Sequence, residues 1–491
     1  MRPGMRLSEL LDGHARVSPT QDAVVHGLTQ DSRQVSRGDA FVALRGASTH
    51  GLRHADAAMA AGAAAIVFEP PAPGQVIPPS RSVAVDGLRT RLGAIADRFF
   101  QAPSAALRVI GVTGTNGKTS TVQLIAQALS AAGRSAGTIG TLGAGLHGHE
   151  RPLERTTPDV ISVHGLLADM RAQGAGDVAM EVSSHALEQG RVDGVRFSVA
   201  AFTNLTHEHL DYHGSLEAYG TAKARLFAWP ALGAAVINLD DAFGAQLLAR
   251  LPSGVRAIGY SAGGRAHAAV RAASLAPTAE GIGFELLIED RRAHVDSALL
   301  GRFNVENLLA VAGVLWALDW SLEDIASALA ALRPVPGRMN RVGGGSLPLV
   351  VVDYAHTPDA LEQALHTLRE HCRGRVLCVF GCGGRRDRGK RPQMGAIAER
   401  LADRVIVTDD NPREEDGDAI VVEILAGLSR PEAVAVVRDR ESAIAQALTE
   451  AVAGDIVLVA GKGHERYQER GGQRIPFDDA AVARRVLEQR P

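Results

Sequence analysis

At 491 residues with 46% hydrophobic content, the chain is long enough for about three domains of ordinary size, each with its own core. A formal net charge of −3 and the absence of a long basic run exclude a general nucleic-acid or anionic-membrane binder and point to small-molecule partners. The longest apolar run, Ala57 to Phe68, is too short to span a bilayer and no signal core precedes it, so a cytoplasmic protein without membrane insertion is expected.

From the N-terminus, short strands at Ala40–Leu44 and Ala64–Phe68 with an alanine-rich helix between them, then a Pro-rich loop from Pro70 to Pro79, predict a small α/β domain over residues 1–103. A second domain, 104–335, opens on the apolar strand Val109–Thr113, a glycine loop and a helix from Thr119 to about Ala132. Further strands at Asp177–Val182, Phe197–Thr203 and Ala234–Asn238 alternate with helices, the pattern of a mostly parallel sheet covered on both faces. A linker at Arg333–Gly337 leads to a third domain, 336–491. Its strands Leu349–Asp353, Arg375–Phe380, Arg404–Thr408, Ala433–Val437 and Asp455–Ala460 predict a Rossmann-like, doubly wound sheet. No internal repeat is visible. Cys372, Cys378 and Cys382 cannot all pair, and they read as buried strand cysteines in a reducing compartment.

Only four of the 52 basic residues are lysine: Lys118, Lys223, Lys390 and Lys462. Codon bias explains the scarcity but not the placement. Three of the four stand in glycine-rich segments, where a compact ammonium or a reactive amine does what arginine cannot.

Strand, then Gly114-Thr115-Asn116-Gly117-Lys118-Thr119, then helix is the context of a phosphate-binding loop. Backbone amides would face the phosphates, Lys118 would reach the terminal one, and the Thr119 hydroxyl would bind Mg²⁺. Val112 occupies the position of the first glycine of the strict pattern. Glu181, at a strand end, could serve the metal. Thr203 to His213 then brings His207, His209, Asp211 and His213 together. His-x-His-x-Asp also resembles a binuclear zinc hydrolase, but Tyr212 intervenes before the next histidine and a phosphate loop has no place in that fold. A purely capping and hydrogen-bonding cluster is the plainer alternative. Lys223, on a helix expected after Ser215, could be an ordinary exposed lysine. It could also be an amine that reacts with CO₂ to give a carbamate, an oxygen ligand for Mg²⁺.

Together these segments resemble the Mur ligase family, ATP-dependent amide-bond-forming enzymes of peptidoglycan precursor synthesis, over nearly the whole chain. The resemblance implies that the loop Thr113–Thr119 holds ATP, that Glu181 and His209 hold two Mg²⁺ ions, and that carbamylated Lys223 holds the second. Asn304 and Asn307 match the adenine side, and Arg338 and Asp353 match nucleotide contacts from a closing third domain. Folylpolyglutamate synthetases share this core but lack the other matching segments.

The N-terminal Gln30, Ser32, Ala47, Ser48 and Thr49 resemble the uridine-diphosphate site of the family member that adds the third stem-peptide residue. Thr156, Thr157, Ser183, Gln189 and Arg191 resemble its contacts to UDP-N-acetylmuramoyl-L-alanyl-D-glutamate; Arg155 stands where asparagine is expected. Asp410-Asn411-Pro412-Arg413 resembles the form that takes meso-diaminopimelate, and a guanidinium fork suits that substrate's distal carboxylate. Arg386 and Arg413 would supply charge and Asn411 a neutral contact, while Gly461 and Glu465 would face the ammonium; Arg385 replaces an expected aspartate. The same ligase using L-lysine, and a nucleotide-gated regulatory relative without ligation, are the alternatives.

Overall fold

The computed structural model describes residues 4–46, 49–74, 76–206, 208–278 and 280–490. It divides into two compact units, Met1–Gly259 and Tyr260–Pro491.

Among its described residues the first unit contains a short antiparallel pair, Met5–Arg6 with Val24–Val25, and two larger sheets. Near the N-terminus the strands Gly27–Thr29, Asp39–Ala43, Ala65–Phe68 and Ser82–Ala84 run parallel in that order. The apolar stretch Ala57–Phe68 is two elements here: the helix Ala55–Ala60 stops, Gly62 takes φ +100°, and the strand Ala65–Phe68 follows. Glycine takes the positive φ that ends a helix at little cost because it has no Cβ. The larger sheet has the order Gly143–Leu146, Ala136–Gly140, Asp177–Glu181, Arg108–Thr113, Phe197–Phe202, Ala234–Asn238. Among these six strands every pair is parallel except the hairpin of the first two. Val109, Ile110 and Val112 are fully buried, as a central parallel strand requires.

In the second unit, Val270–Thr278, Gly281–Ile288 and Arg291–Ser297 form an antiparallel meander that the expectation of a mostly parallel sheet did not include. The signal was present, because Ile282, Phe284, Leu286 and Ile288 alternate inward at period two. Beyond the linker, the sheet order is Asn340–Gly343, Leu349–Asp353, Ile456–Ala460, Val376–Phe380, Arg404–Val407, Ala435–Val436. Every pair but the first is parallel. The strand expected over Ala433–Val437 shrinks to two residues because the 3-10 turn Pro431–Ala433 precedes it. Of the three free cysteines only Cys378 lies on a strand. Cys382 is buried in the loop that follows, and Cys372 is half-buried at the end of the helix Pro358–His371, which corrects the reading of all three as strand residues.

No helix among the described residues is long and apolar enough to cross a membrane.

Candidate active site

The glycine loop leaves the central strand Arg108–Thr113 and enters the helix Lys118–Ala131. Gly114 and Gly117 take φ +148° and +84°, and a Cβ on Gly114 would collide with the Thr203 hydroxyl. The loop is framed by the neighbouring strand's exit. Thr115 N donates to Asn204 O at 2.8 Å, Asn116 N donates to Asn204 Oδ1 at 2.8 Å, and Thr203 Oγ1 donates to Asn116 O at 2.6 Å. With its shape fixed by these bonds, the turn holds its remaining amides at a helix N-terminus, where an anion is favoured. Lys118 Nζ arches back over the loop to Gly114 O at 3.0 Å and Thr115 O at 2.7 Å.

Glu181 closes its strand almost fully buried. Its Oε2 accepts from Thr119 Oγ1 at 3.0 Å and from Thr141 Oγ1 at 3.3 Å, and its Oε1 accepts from Thr141 N at 2.7 Å. A Cβ on Gly140 would strike this carboxylate. A buried hydroxyl and carboxylate at 3.0 Å are hard oxygen donors of the kind Mg²⁺ prefers, so this pair fits the ion.

Ser215 caps the helix Leu216–Ala224 by accepting from Ala218 N, which fixes the turn carrying Lys223. Lys223 is buried rather than solvated; its Nζ donates to Gly114 O at 2.7 Å and sits 4.1 Å from the centre of the Tyr219 ring. Burial, then the neighbouring Lys118 ammonium, lower its pKa to about 6. Burial raises the Tyr219 phenol to about 12. A largely neutral amine at physiological pH is the form that attacks CO₂.

His209 is left-handed, with φ 55°, and half exposed. It lies edge-on to His185 at 5.0 Å and to Tyr219 at 6.1 Å between ring centres. His213 is instead tied inward, to Ser184 Oγ at 3.0 Å and Glu188 at 3.2 Å, so the capping alternative describes it well. His207 lies outside the described residues. Thr119 and Glu181 are thus in contact and Lys223 reaches the loop from its other flank. Among the described residues no three His, Cys, Asp or Glu side chains form a metal cage.

Thr157 Oγ1 donates to Glu181 O at 2.8 Å and accepts from Ser183 N at 3.2 Å. Thr156 and Thr141 share a hydroxyl–hydroxyl bond at 3.1 Å. Arg191 donates to Thr157 O at 3.0 Å and to Gln189 Oε1. Burial, then Arg155, lower the Arg191 pKa, so the departure at 155 adds positive charge beside this cluster. Gln30 Nε2 bonds Asp159 Oδ1 at 3.5 Å, joining the N-terminal segment to the one beginning at Thr156. Ser32 starts a short 3-10 turn capped by Asp31, and Thr49 is exposed. Ala47 and Ser48 lie outside the described residues.

In the second unit, Asn304 and Asn307 are buried on the first turns of the helix Arg302–Ala317. Asn307 Nδ2 donates to Asn304 Oδ1 at 3.0 Å, and Asn304 Nδ2 donates to Leu300 O at 2.8 Å. Asp353 accepts from Met339 N at 2.8 Å and Ala355 N at 2.9 Å, while burial raises its pKa against the opposing pull of Arg338. The Arg338 guanidinium lies 5.2 Å from the Tyr354 ring centre.

Four loops leave the C-terminal edge of the second unit's parallel sheet, after Asp353, Phe380, Val407 and Ala460, the edge where doubly wound folds bind ligands. Asp410 and Asn411 are buried. Pro412 and Arg413 line an open cavity of about 700 Å³ with Asp416, Arg438, Asp439 and Arg470. Arg413 is held left-handed at φ 57°, with its N donating to Glu469 O at 2.9 Å and its Nη1 to Gly384 O at 2.8 Å. Arg386 is exposed, with its Cγ near Gly383. Gly461 takes φ +117°, and a Cβ there would run into the Asp410 carboxylate. Arg385 pairs with Glu414 and its N donates to Glu415 Oε2 at 2.9 Å, so its charge is answered within the loop.

Sequence reasoning missed Asn204, Thr141 and Gly140, all of which shape the phosphate loop or the Glu181 carboxylate. Their positions at or just past the ends of strands of the same sheet are the one signal available without coordinates.

A phosphate-binding loop on a parallel sheet, a buried carboxylate beside it and a separate doubly wound domain define a nucleotide-dependent enzyme of three-domain α/β architecture. The chain belongs to the Mur ligase family. Family models match at residues 24–100 (Mur ligase family, catalytic domain), 112–315 (Mur ligase middle domain) and 337–463 (Mur ligase, glutamate ligase domain). A protein of Xylella fastidiosa (strain Temecula1) named UDP-N-acetylmuramoyl-L-alanyl-D-glutamate–2,6-diaminopimelate ligase is 59% identical over 488 residues, covering 99% of this chain and 98% of the relative. A solved structure of a ligase with that name aligns over 99% of both chains at 37% identity and a TM-score of 0.75. A MurF ligase of Thermotoga maritima, solved with ADP, shares the fold at 19% identity and a TM-score of 0.62, over 97% of this chain and all of that one.

Proposed function

We propose that the protein is an ATP-dependent ligase that joins meso-diaminopimelate to the D-glutamate side-chain carboxylate of UDP-N-acetylmuramoyl-L-alanyl-D-glutamate, a cytoplasmic step of peptidoglycan precursor synthesis. The observation that carries this reading is the 59% identity, over essentially the whole chain, to a relative of that name. We divide the chain into domains at 1–103, 104–335 and 336–491, a reading supported by three family matches that each fall within one of them.

The glutamyl carboxylate attacks the terminal phosphorus of ATP, the bond to the bridging oxygen breaks, and ADP leaves an acyl phosphate. The deprotonated amine of diaminopimelate then adds to the acyl carbon, and phosphate departs to leave the amide. Lys118 swings from the loop carbonyls to the migrating phosphoryl group, whose charge is the main thing such transfers must stabilise. Thr113 to Thr119 cradle the phosphates, Asn304 and Asn307 serve the adenine side, and Arg338 and Asp353 contact the nucleotide. Thr119 and Glu181 would hold one Mg²⁺, and His209 with carbamylated Lys223 a second. Bound there, the ions supply charge neutralisation along the triphosphate. Gln30, Ser32, Ala47, Ser48 and Thr49 take the uridine diphosphate, and Thr156, Thr157, Ser183, Gln189 and Arg191 take the muramoyl dipeptide. Arg386, Asp410, Asn411, Pro412, Arg413, Gly461 and Glu465 select the amino acid.

The test is phosphate release with ATP, Mg²⁺ and the UDP-muramoyl dipeptide, comparing meso-diaminopimelate, L-lysine and neither. Release coupled to diaminopimelate with a UDP-tripeptide product is expected. A preference for lysine would overturn the selector, and release independent of both would overturn the ligase.

A further inference from the structure

Lys462 has no part in the mechanism above, yet it is one of only four lysines in the chain and its side chain is completely buried. Its Nζ donates to Asn411 Oδ1 at 2.9 Å and to Glu465 Oε2 at 3.2 Å, and lies 5.5 Å from the Tyr467 ring centre. Asn411 Nδ2 closes the triangle by donating to the same Glu465 oxygen at 2.8 Å. Three consequences follow from these atoms. First, Asn411 Oδ1 accepts from both Lys462 Nζ and Glu469 N, at 2.9 Å each, so its amide has one orientation and cannot flip. Second, both bonds to the Glu465 carboxylate land on Oε2, which leaves Oε1 outside the triangle. Third, a compact ammonium makes both bonds from one nitrogen, whereas a planar guanidinium needs a wider site. That accounts for lysine at this position in an arginine-rich chain.

We propose that Lys462 is a positioning residue for amino-acid recognition: it locks Asn411 and Glu465, from two separate loops, into a single surface for the ammonium and carboxylate of a diamino dicarboxylic acid. The role rests on the ligase reading, because it concerns the residues assigned there to the incoming amino acid. Lys462 touches no reacting atom in it. Removing the ammonium leaves Glu465 with a single neutral donor and the two loops with a weaker link.

The experiment measures KM for each substrate separately. Wild-type protein must first turn over meso-diaminopimelate; if it does not, the ligase reading falls and takes this one with it. Given that turnover, Lys462→Met is expected to raise KM for diaminopimelate about tenfold, with kcat and the KM values for ATP and the UDP-dipeptide held within about twofold. Lys462→Gln, which keeps a neutral N–H donor one bond nearer the backbone, is expected to fall between wild type and Lys462→Met. An unchanged KM for diaminopimelate overturns the proposal, and so does a parallel rise in all three KM values, which marks general loosening. Failure of both variants to fold would assign the ammonium to the fold instead of to recognition, and overturns it equally.

Discussion

Lys118 and Lys223 donate to one and the same carbonyl oxygen, that of Gly114, at 3.0 and 2.7 Å. Two ammonium groups at one acceptor repel each other, and this repulsion adds to burial in keeping Lys223 largely deprotonated. Lys223→Arg removes the nucleophilic amine and puts a permanent cation in its place, and it is expected to lower turnover about a hundredfold or more. Wild-type protein stripped of bicarbonate should lose activity and regain it when bicarbonate is added back, while the variant should not respond. Full activity in Lys223→Arg would refute the carbamate.

Thr141 supplies both an amide and a hydroxyl to Glu181. Thr141→Val keeps the amide contact and deletes the hydroxyl, a loss of about 1 kcal/mol in stability. A magnesium titration of turnover should shift to higher concentrations in this variant. An unshifted titration would mean that the Glu181 carboxylate does not depend on Thr141 for its orientation.

Gly461→Ala combines a left-handed backbone with a Cβ directed at the Asp410 carboxylate. Destabilisation of about 2 kcal/mol is expected in urea unfolding, together with weaker use of diaminopimelate. A variant as stable as wild type would show that the two loops separate easily.

Arg391 is fully buried and is clasped by Glu415 and Glu423. Hydrogen bonds from Arg391, then from the Arg385 amide, lower the Glu415 pKa to about 2. A depressed carboxylate contributes stability that is complete above its unfolded pKa, near 4.5, and is lost as pH falls toward 2. Glu415→Gln should therefore flatten the acid limb of a stability-against-pH curve in that window. An identical acid limb would assign the acid sensitivity to other carboxylates.

Much of this site could be read from residue order. The loop Gly114–Thr119 was legible because strand, glycines, lysine and helix are contiguous, and the structure has them within a residue of expectation. Lys223 was singled out by composition, and burial bears out that it is no ordinary surface lysine. Thr141 and Asn204 were invisible for a physical reason: each works through hydrogen bonds to residues at least 40 positions away, and nothing local marks it. The meander from Val270 to Ser297 was overlooked although its alternation is local, because charged residues on its outer face mask the inward apolar set.

The triangle of Asn411, Lys462 and Glu465 has a consequence for redesign. The sheet edge offers each loop as a separate cassette, inviting transplantation one at a time from a relative with a different amino-acid preference. Here two cassettes are stitched together beneath the surface. A donor loop replacing Asp410–Arg413 alone would meet a buried cation with one acceptor missing, so a graft that changes preference must carry both loops or neither.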